Sequence, residues 1–283
     1  MLRNNVRTLR LALLLPLAAL GWIAPCDSFA SSAPDPTEIL SEALERRYEV
    51  ELVQDLVIEL SGPSGSIGRR ELQMATKQFD GHLYVVGRFL EPQRMRGTSF
   101  LAIESERTSD YFIHLPAFRV VRRVSTYQRS DPWFETDLSF EDVERHYASD
   151  YEIGELKEGT IDGESVHVVH ARPLYGSAYA EVAFHIATSD LAMLRMEYRK
   201  KGRSSSSKVI HAPRSSMISI GDALVPGLLI AHSLEEQTTT RVIVERLEAD
   251  PELRKSFFSA TSLALRKRIP IGEGGLHADP GDE

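Results

Sequence analysis

Between Glu51 and about Val124 the chain is a series of short runs rich in β-branched and aromatic residues: 51–60, 67–79, 82–90, 97–104, 109–115 and 118–124. Turn signals such as Ser61-Gly62-Pro63-Ser64-Gly65, Asp80-Gly81 and Glu91-Pro92 divide them. Parallel neighbours need a crossover of about a dozen residues or more, and these gaps hold none. The runs are therefore expected to pair antiparallel as a meander.

The same texture returns further along. Val182, Phe184 and Ile186 alternate with Glu181, Ala183 and His185, and Ala192, Leu194, Met196 and Tyr198 repeat the period of two that marks a half-buried strand. Further strands are expected at 216–220, 227–234 and 238–247. Lys200 to Lys208, basic and serine-rich, reads as a solvated hairpin tip. Two helices are expected beside the sheet. Asp35-Pro36-Thr37-Glu38 has the N-cap, N1 proline and N3 acid of a helix start, and Ile39, Leu40, Ala43, Leu44 and Tyr48 continue it at helical spacing over 36–50. Ser139-Phe140-Glu141-Asp142 opens a second over 139–148, with Phe140, Val143 and Tyr147 on one face. The reading is one α+β domain over 31–271, followed by a polar tail over 272–283 that is expected to be disordered.

The first thirty residues carry an export signal. Arg3, Arg7 and Arg10 precede an apolar run from Leu11 to Ala24, and Ser28-Phe29-Ala30 places small residues where a signal peptidase reads. The run is interrupted by Pro16 and falls short of the roughly 20 residues of a spanning helix. Cleavage is placed after Ala30, and the protein is expected in the periplasm. The competing reading is a lipid anchor on Cys26, against which stands Pro25 where lipoprotein processing takes Gly, Ala or Ser. Cys26 is the chain's one cysteine, so cleavage after Ala30 leaves neither disulfides nor thiolate sites. The chain carries 33 basic and 41 acidic side chains for a net charge of −8, which makes nucleic acid and anionic membrane surfaces poor partners.

No motif demands catalysis: G-x-S-x-G, Walker and H-E-x-x-H patterns are absent. His167 and His170, three apart on an expected strand, face opposite sides and cannot chelate one ion together. No cofactor or metal is expected. Aromatic and sulfur side chains crowd the stretch 89–140, and Phe89, Met95, Phe100, Tyr111, Ile113, Trp133, Phe134 and Phe140 are the candidate lining of an apolar cavity. Arg119, Arg122 and Arg123, with Arg129 nearby, form a basic cluster in an acidic protein, which reads either as a salt-bridged strand face or as a contact for a lipid headgroup or protein partner; Arg94 and Arg96 are further candidates for that contact.

The runs EPQRMRGTSFL at 91–101, YFIHLPAFRVVRRV at 111–124, QRS at 128–130 and TDLSFEDV at 136–143 resemble the outer membrane lipoprotein-sorting protein family, a LolA/LolB-like branch. The resemblance implies an incomplete antiparallel β-barrel, or half-barrel, with helices over its concave apolar face. It further implies a periplasmic carrier of lipoprotein acyl chains or other envelope lipids, without enzymatic activity and monomeric. Its implied partners are an inner-membrane release complex or an RND/MMPL-type exporter. The alternative within the same fold is an envelope sensor or scaffold that docks a membrane partner without moving lipid. Carriers of this family have an arginine directly before the proline of the strand matching Phe89 to Phe100, whereas here Glu91 precedes Pro92. That arginine's gating role has no counterpart at Glu91. The segments 36–50 and 139–148 are expected to act as lids that shift when cargo enters.

Overall fold

The computed structural model describes residues 34–272, apart from 49, 106–107, 126–127, 222 and 266–267, together with the backbone of 276 and 277. The export signal, Cys26 and the cleavage position lie outside the described residues, as does most of the 272–283 tail.

One helix, α1 (Pro36–Arg46), precedes the sheet. Asp35 caps it by accepting the Thr37 N–H at 2.8 Å, and Ile39, Leu40, Ala43 and Leu44 form its buried stripe. It stops short of residue 50. The Tyr48 N–H bonds to the Glu45 carbonyl, which tightens the last turn, and the Tyr48 hydroxyl donates to the Glu144 carbonyl at 3.2 Å. The meander follows as β1 (Leu52–Gly62), β2 (Gly65–Phe79), β3 (His82–Glu91), β4 (Ser99–Ser105), β5 (Thr108–Leu115) and β6 (Val120–Arg123). After a crossing segment with the short helix α2 (Phe140–Val143) come β7 (Tyr151–Ile161), β8 (Glu164–Pro173), β9 (Tyr179–Ala187), β10 (Met193–Lys200) and β11 (Lys208–His211). A separate hairpin, β12 (Met217–Ile220) and β13 (Ala223–Pro226), leads to β14 (Leu228–Ser233) and β15 (Thr238–Ala249). A one-turn helix, α3 (Ala260–Leu263), and a two-residue strand, β16 (Leu276–His277), end the described chain. β16 pairs with Arg246 and Leu247 of β15, within the stretch read as a tail.

Fourteen of the described strands form one antiparallel sheet in the order β6-β5-β4-β3-β2-β1-β15-β14-β11-β10-β9-β8-β7, with β16 beside β15. The sheet is unclosed and curls as a half-barrel, as the sequence leads one to expect. β1 pairs with both β2 and β15, so the two ends of the chain meet at its centre. The consequence is topological. β6 and β7 are the two edges, and laid flat they would stand on the order of 60 Å apart. The chain must still pass from one to the other between residues 124 and 150, and it does so across the concave face.

Two expectations, one of them within this crossing, are corrected. The helix expected at 139–148 is only the four residues of α2, because Glu144 turns extended and sends its carboxylate to Arg129 at 2.6 Å. The basic stretch ending at Lys208 is exposed only from Lys200 to Ser205. Ser207 and Lys208 are buried, and Lys208 begins a strand.

The main apolar cluster fills the concave side and joins α1, the crossing and nearly every strand. On the convex side of β1 to β5 a second cluster packs under the C-terminal segment, where Phe258, Leu263 and Ile269 are buried. A row of directly opposed polar residues, Asp55, Gln73, Arg88, Ser99 and His114, runs across this face. The segment satisfies much of it with main-chain groups: Gln73 Oε1 accepts the Ile269 N–H at 3.0 Å, and Ser99 Oγ donates to the Leu263 carbonyl at 2.8 Å. Among the described residues no helix is long and apolar enough to cross a membrane.

Candidate functional site

Curling the sheet leaves more apolar wall than α1 and the crossing can fill. A cavity of about 220 Å³ remains on the concave face. Leu56 of β1, Leu72 and Met74 of β2, Val85 of β3, Ala102 of β4, and Val242 and Val244 of β15 form its floor. Trp133, Leu138 and Val143 of the crossing roof it, and Arg47, Tyr48, Gln54 and Asp142 add the polar atoms.

The crossing is fastened at three places. At the first, the Arg70 guanidinium donates to the Phe134 carbonyl and pairs with Glu135 at 3.1 Å. Phe134 and Glu135 both have left-handed backbones, with φ of 47° and 58°, a conformation that costs about 1–3 kcal/mol per residue outside glycine. It turns the Trp133 and Phe134 rings inward. At the second, Asp137 accepts from both Thr238 and Thr240, and its own N–H donates to Thr240 Oγ1 at 2.9 Å. The third reaches the far half of the sheet. Asp142 is ion-paired with Lys208 and accepts from the Ser139 N–H and Oγ at 2.6 and 2.8 Å and from the Tyr179 hydroxyl at 3.2 Å. Lys208 Nζ also lies 4.9 and 5.2 Å from the Tyr179 and Tyr198 ring centres.

Of the aromatic residues singled out in the sequence, Phe100, Tyr111 and Trp133 line the cavity. The others pack behind them. Phe89 meets Phe134 at 4.8 Å, Phe140 stands edge-on to Tyr111 at 5.0 Å, Ile113 is buried, and Met95 is half-buried against the same cluster. Trp133 Nε1 donates to the Tyr111 hydroxyl at 2.7 Å, so both polar tips are satisfied inside the apolar cluster. Gly87 makes room for it. A Cβ there would sit 2.2 Å from the Phe100 ring. Gly87→Ala is expected to push that ring into the cavity at a cost of about 1–3 kcal/mol, read as a lowered urea midpoint together with reduced ligand uptake.

The five arginines read as candidates for a headgroup or partner contact do not line the cavity. Arg94, Arg96, Arg119, Arg122 and Arg123 are exposed on the outside; Arg96 pairs with Glu91 and Arg123 with Asp110. Glu91, whose peptide bond to Pro92 is cis, is thus a surface residue. Arg47 and Gln54, which do line the cavity, fall in segments expected to be a helix end and an ordinary strand.

A second, polar chamber of about 260 Å³ adjoins the first and shares Tyr111 with it. Arg129, Glu141, Glu144, Arg145, His146 and Asp150 line it. Glu104 sits beneath, 3 % exposed, and accepts the Arg145 N–H at 3.0 Å; burial, reinforced by Glu144, raises its pKa to about 8. His146 Nε2 faces the Glu141 carbonyl at 2.9 Å, which can only accept, so Nε2 carries the proton and Nδ1 accepts from the Tyr151 hydroxyl. Burial, and then the Arg47 charge, lower the His146 pKa to about 4. Among the described residues no group of three His, Cys, Asp or Glu side chains is placed to hold a metal ion.

A family model described as that of an uncharacterized protein matches residues 82–264, well over half of the chain. The chain belongs to that family. Its fold is that of the outer membrane lipoprotein-sorting and LolA superfamily proteins. An outer membrane lipoprotein-sorting protein domain from Vibrio parahaemolyticus superposes with a TM-score of 0.75 at 18 % identity, covering 81 % of this chain and 97 % of that one. A DUF1329 family protein from Desulfovibrio piger gives 0.74 at 19 %, covering 81 % and 97 %. A LolA superfamily protein from Nitrosomonas europaea gives 0.62 at 19 %, covering 80 % and 98 %. No curated protein matches the sequence. In this LolA-like half-barrel the cavity occupies the concave face and the crossing segment roofs it.

Proposed function

We propose that the protein is a periplasmic carrier that holds an acyl chain of an envelope lipid or lipoprotein in the concave cavity and delivers it toward the outer membrane. The observation that carries this reading is the unfilled apolar floor from Leu56 to Val244 beneath a fastened lid. Burying an acyl chain there is favourable by about 0.8 kcal/mol per methylene, so a well-seated chain leaves only when an acceptor draws it out. Donor and acceptor are read as an inner-membrane release complex or exporter and an outer-membrane receiver. Binding rather than catalysis fits the carboxylate on the wall, since Asp142 is committed to Lys208 behind it.

The test is native mass spectrometry of protein purified from its own envelope, with bound lipid as the expected result. Val85→Trp fills the cavity from a half-buried position. It is expected to lower fatty-acid affinity at least tenfold while costing about 1–3 kcal/mol of stability. Protein that arrives empty and ignores added fatty acids would sink the reading.

One observation favours a second reading, a scaffold that docks a membrane partner. At the β6 edge Phe118 is 72 % and Val120 52 % exposed, beside Arg119 and Arg122. Crosslinking from this edge that captures a stable protein partner from lipid-free material would favour it.

A further inference from the structure

The apolar wall of the cavity is interrupted at the end nearest α1. Gln54 faces Leu247 and Met74 in register and is 6 % exposed, and among the described residues its side-chain amide meets no hydrogen-bond partner. It lines the cavity, as does Thr76 on the neighbouring strand. The unpartnered amide therefore faces the cavity, where a ligand oxygen can accept from it in place of water.

Arg47 enters the same end from the C-terminus of α1. Its guanidinium lies 5.8 Å from the Tyr48 ring centre, and among the described residues its one hydrogen bond is a weak one to the Met196 sulfur at 3.9 Å. Arg145 lies over the same ring at 5.4 Å. Among the described residues neither arginine has a carboxylate within ion-pair distance. The carboxylate on the cavity wall, Asp142, is already saturated by Lys208, Ser139 and Tyr179. Glu144, in the chamber behind, is paired with Arg129. This end of the cavity therefore joins uncompensated positive charge to an unpartnered amide.

We propose that the cavity takes a single-chain amphiphile with an anionic headgroup, a carboxylate or a phosphate, whose oxygens reach Arg47 and the Gln54 amide while its chain lies on the apolar floor. The proposal rests on the carrier reading and narrows its cargo. A guanidinium fork recognises either headgroup with two parallel bonds. At about 220 Å³ the cavity is smaller than the 300–1,000 Å³ typical of enclosed small-molecule sites, which suits one chain better than two. A lipoprotein anchor with neutral ester-linked chains would leave the arginine unanswered.

The test is calorimetric titration of the delipidated protein with decanoate, decyl phosphate, decanol and inorganic phosphate. The two anionic amphiphiles are expected to bind about 10- to 100-fold more tightly than decanol. Arg47→Gln is expected to remove most of that difference and leave decanol unchanged; Gln54→Leu is expected to weaken the anions and leave decanol unchanged or tighter. Equal affinity for decanoate and decanol, or discrimination that survives Arg47→Gln, overturns the proposal and leaves the carrier reading standing. Inorganic phosphate binding as tightly as decyl phosphate also overturns it, because the chain would then contribute nothing. Failure of all three amphiphiles to bind removes the carrier reading itself.

Discussion

Replacing Lys208 by methionine is expected to destabilise the protein by about 3–5 kcal/mol, because it leaves the Asp142 carboxylate buried without its cation. The pair is a strong case, since the two side chains are 9 % and 0 % exposed. Ser139 and the Tyr179 hydroxyl still hold Asp142, which places the loss toward the lower end of that range. The double variant Lys208→Met/Asp142→Asn is expected to recover most of the loss, because the amide oxygen still accepts from the Ser139 N–H and no charge remains buried. Urea midpoints of the two single variants and the double variant read this directly. A single variant that loses under about 1 kcal/mol would mean that the pair is open in solution. The position of the pair gives the experiment a functional side. Asp142 belongs to the crossing that leaves β6, and Lys208 starts β11, so the bond ties the crossing to the other half of the sheet. Glu91, which stands where the resemblance implies an arginine, is a surface residue paired with Arg96 and takes no part in this bond. Looser fastening in Lys208→Met is expected to speed ligand exchange as well as lower stability.

That bond was hidden in the sequence for a physical reason. Lys208 closes a run of serines and basic residues whose first half is exposed, and nothing local distinguishes it from Lys200 or Lys201. Local signals did give the strands. Val182, Phe184 and Ile186 face the concave cluster as their alternation requires, and the crowded rings from Phe89 to Phe140 do assemble into one aromatic cluster. The floor of the cavity was not legible, because Leu56, Leu72, Val242 and Val244 are ordinary strand residues. They meet only because β15 returns to pair with β1 across most of the chain. The same long-range pairing kept Arg47 and Gln54 out of view: they approach the cavity from the other end, whereas the arginines close in sequence to the aromatic residues lie exposed on the outside. Helix length failed for a related reason. Glu144 and Tyr48 have partners in the tertiary structure that outcompete another turn of helix.

Glu104→Gln is expected to stabilise the protein above pH 4.5, and by an amount that grows with pH. In the folded chain burial holds the Glu104 pKa at about 8, against 4.5 for the group in water. Between those values the unfolded chain has lost this proton and the folded chain has kept it, so unfolding becomes easier by about 1.4 kcal/mol for each unit of rising pH. The penalty is absent below pH 4.5 and reaches about 5 kcal/mol near pH 8, beyond which both states are ionised and it stays constant. Glutamine keeps an oxygen for the Arg145 N–H and has no proton to lose. His146 acts in the opposite sense. Its folded pKa of about 4 lies below the 6.5 of the free ring, so its contribution is present above pH 6.5 and is lost as pH falls toward 4. The wild-type protein therefore has these two groups opposed between pH 4.5 and 6.5, and Glu104 alone lowering stability from 6.5 to 8. Glu141, Glu144 and Asp150, also raised by burial, tilt both proteins alike. The difference between variant and wild type isolates Glu104. Denaturant unfolding at pH 4.5, 6.5 and 8 should show the two curves diverging steadily, and a difference that stays constant with pH would mean that Glu104 is solvated in the native state.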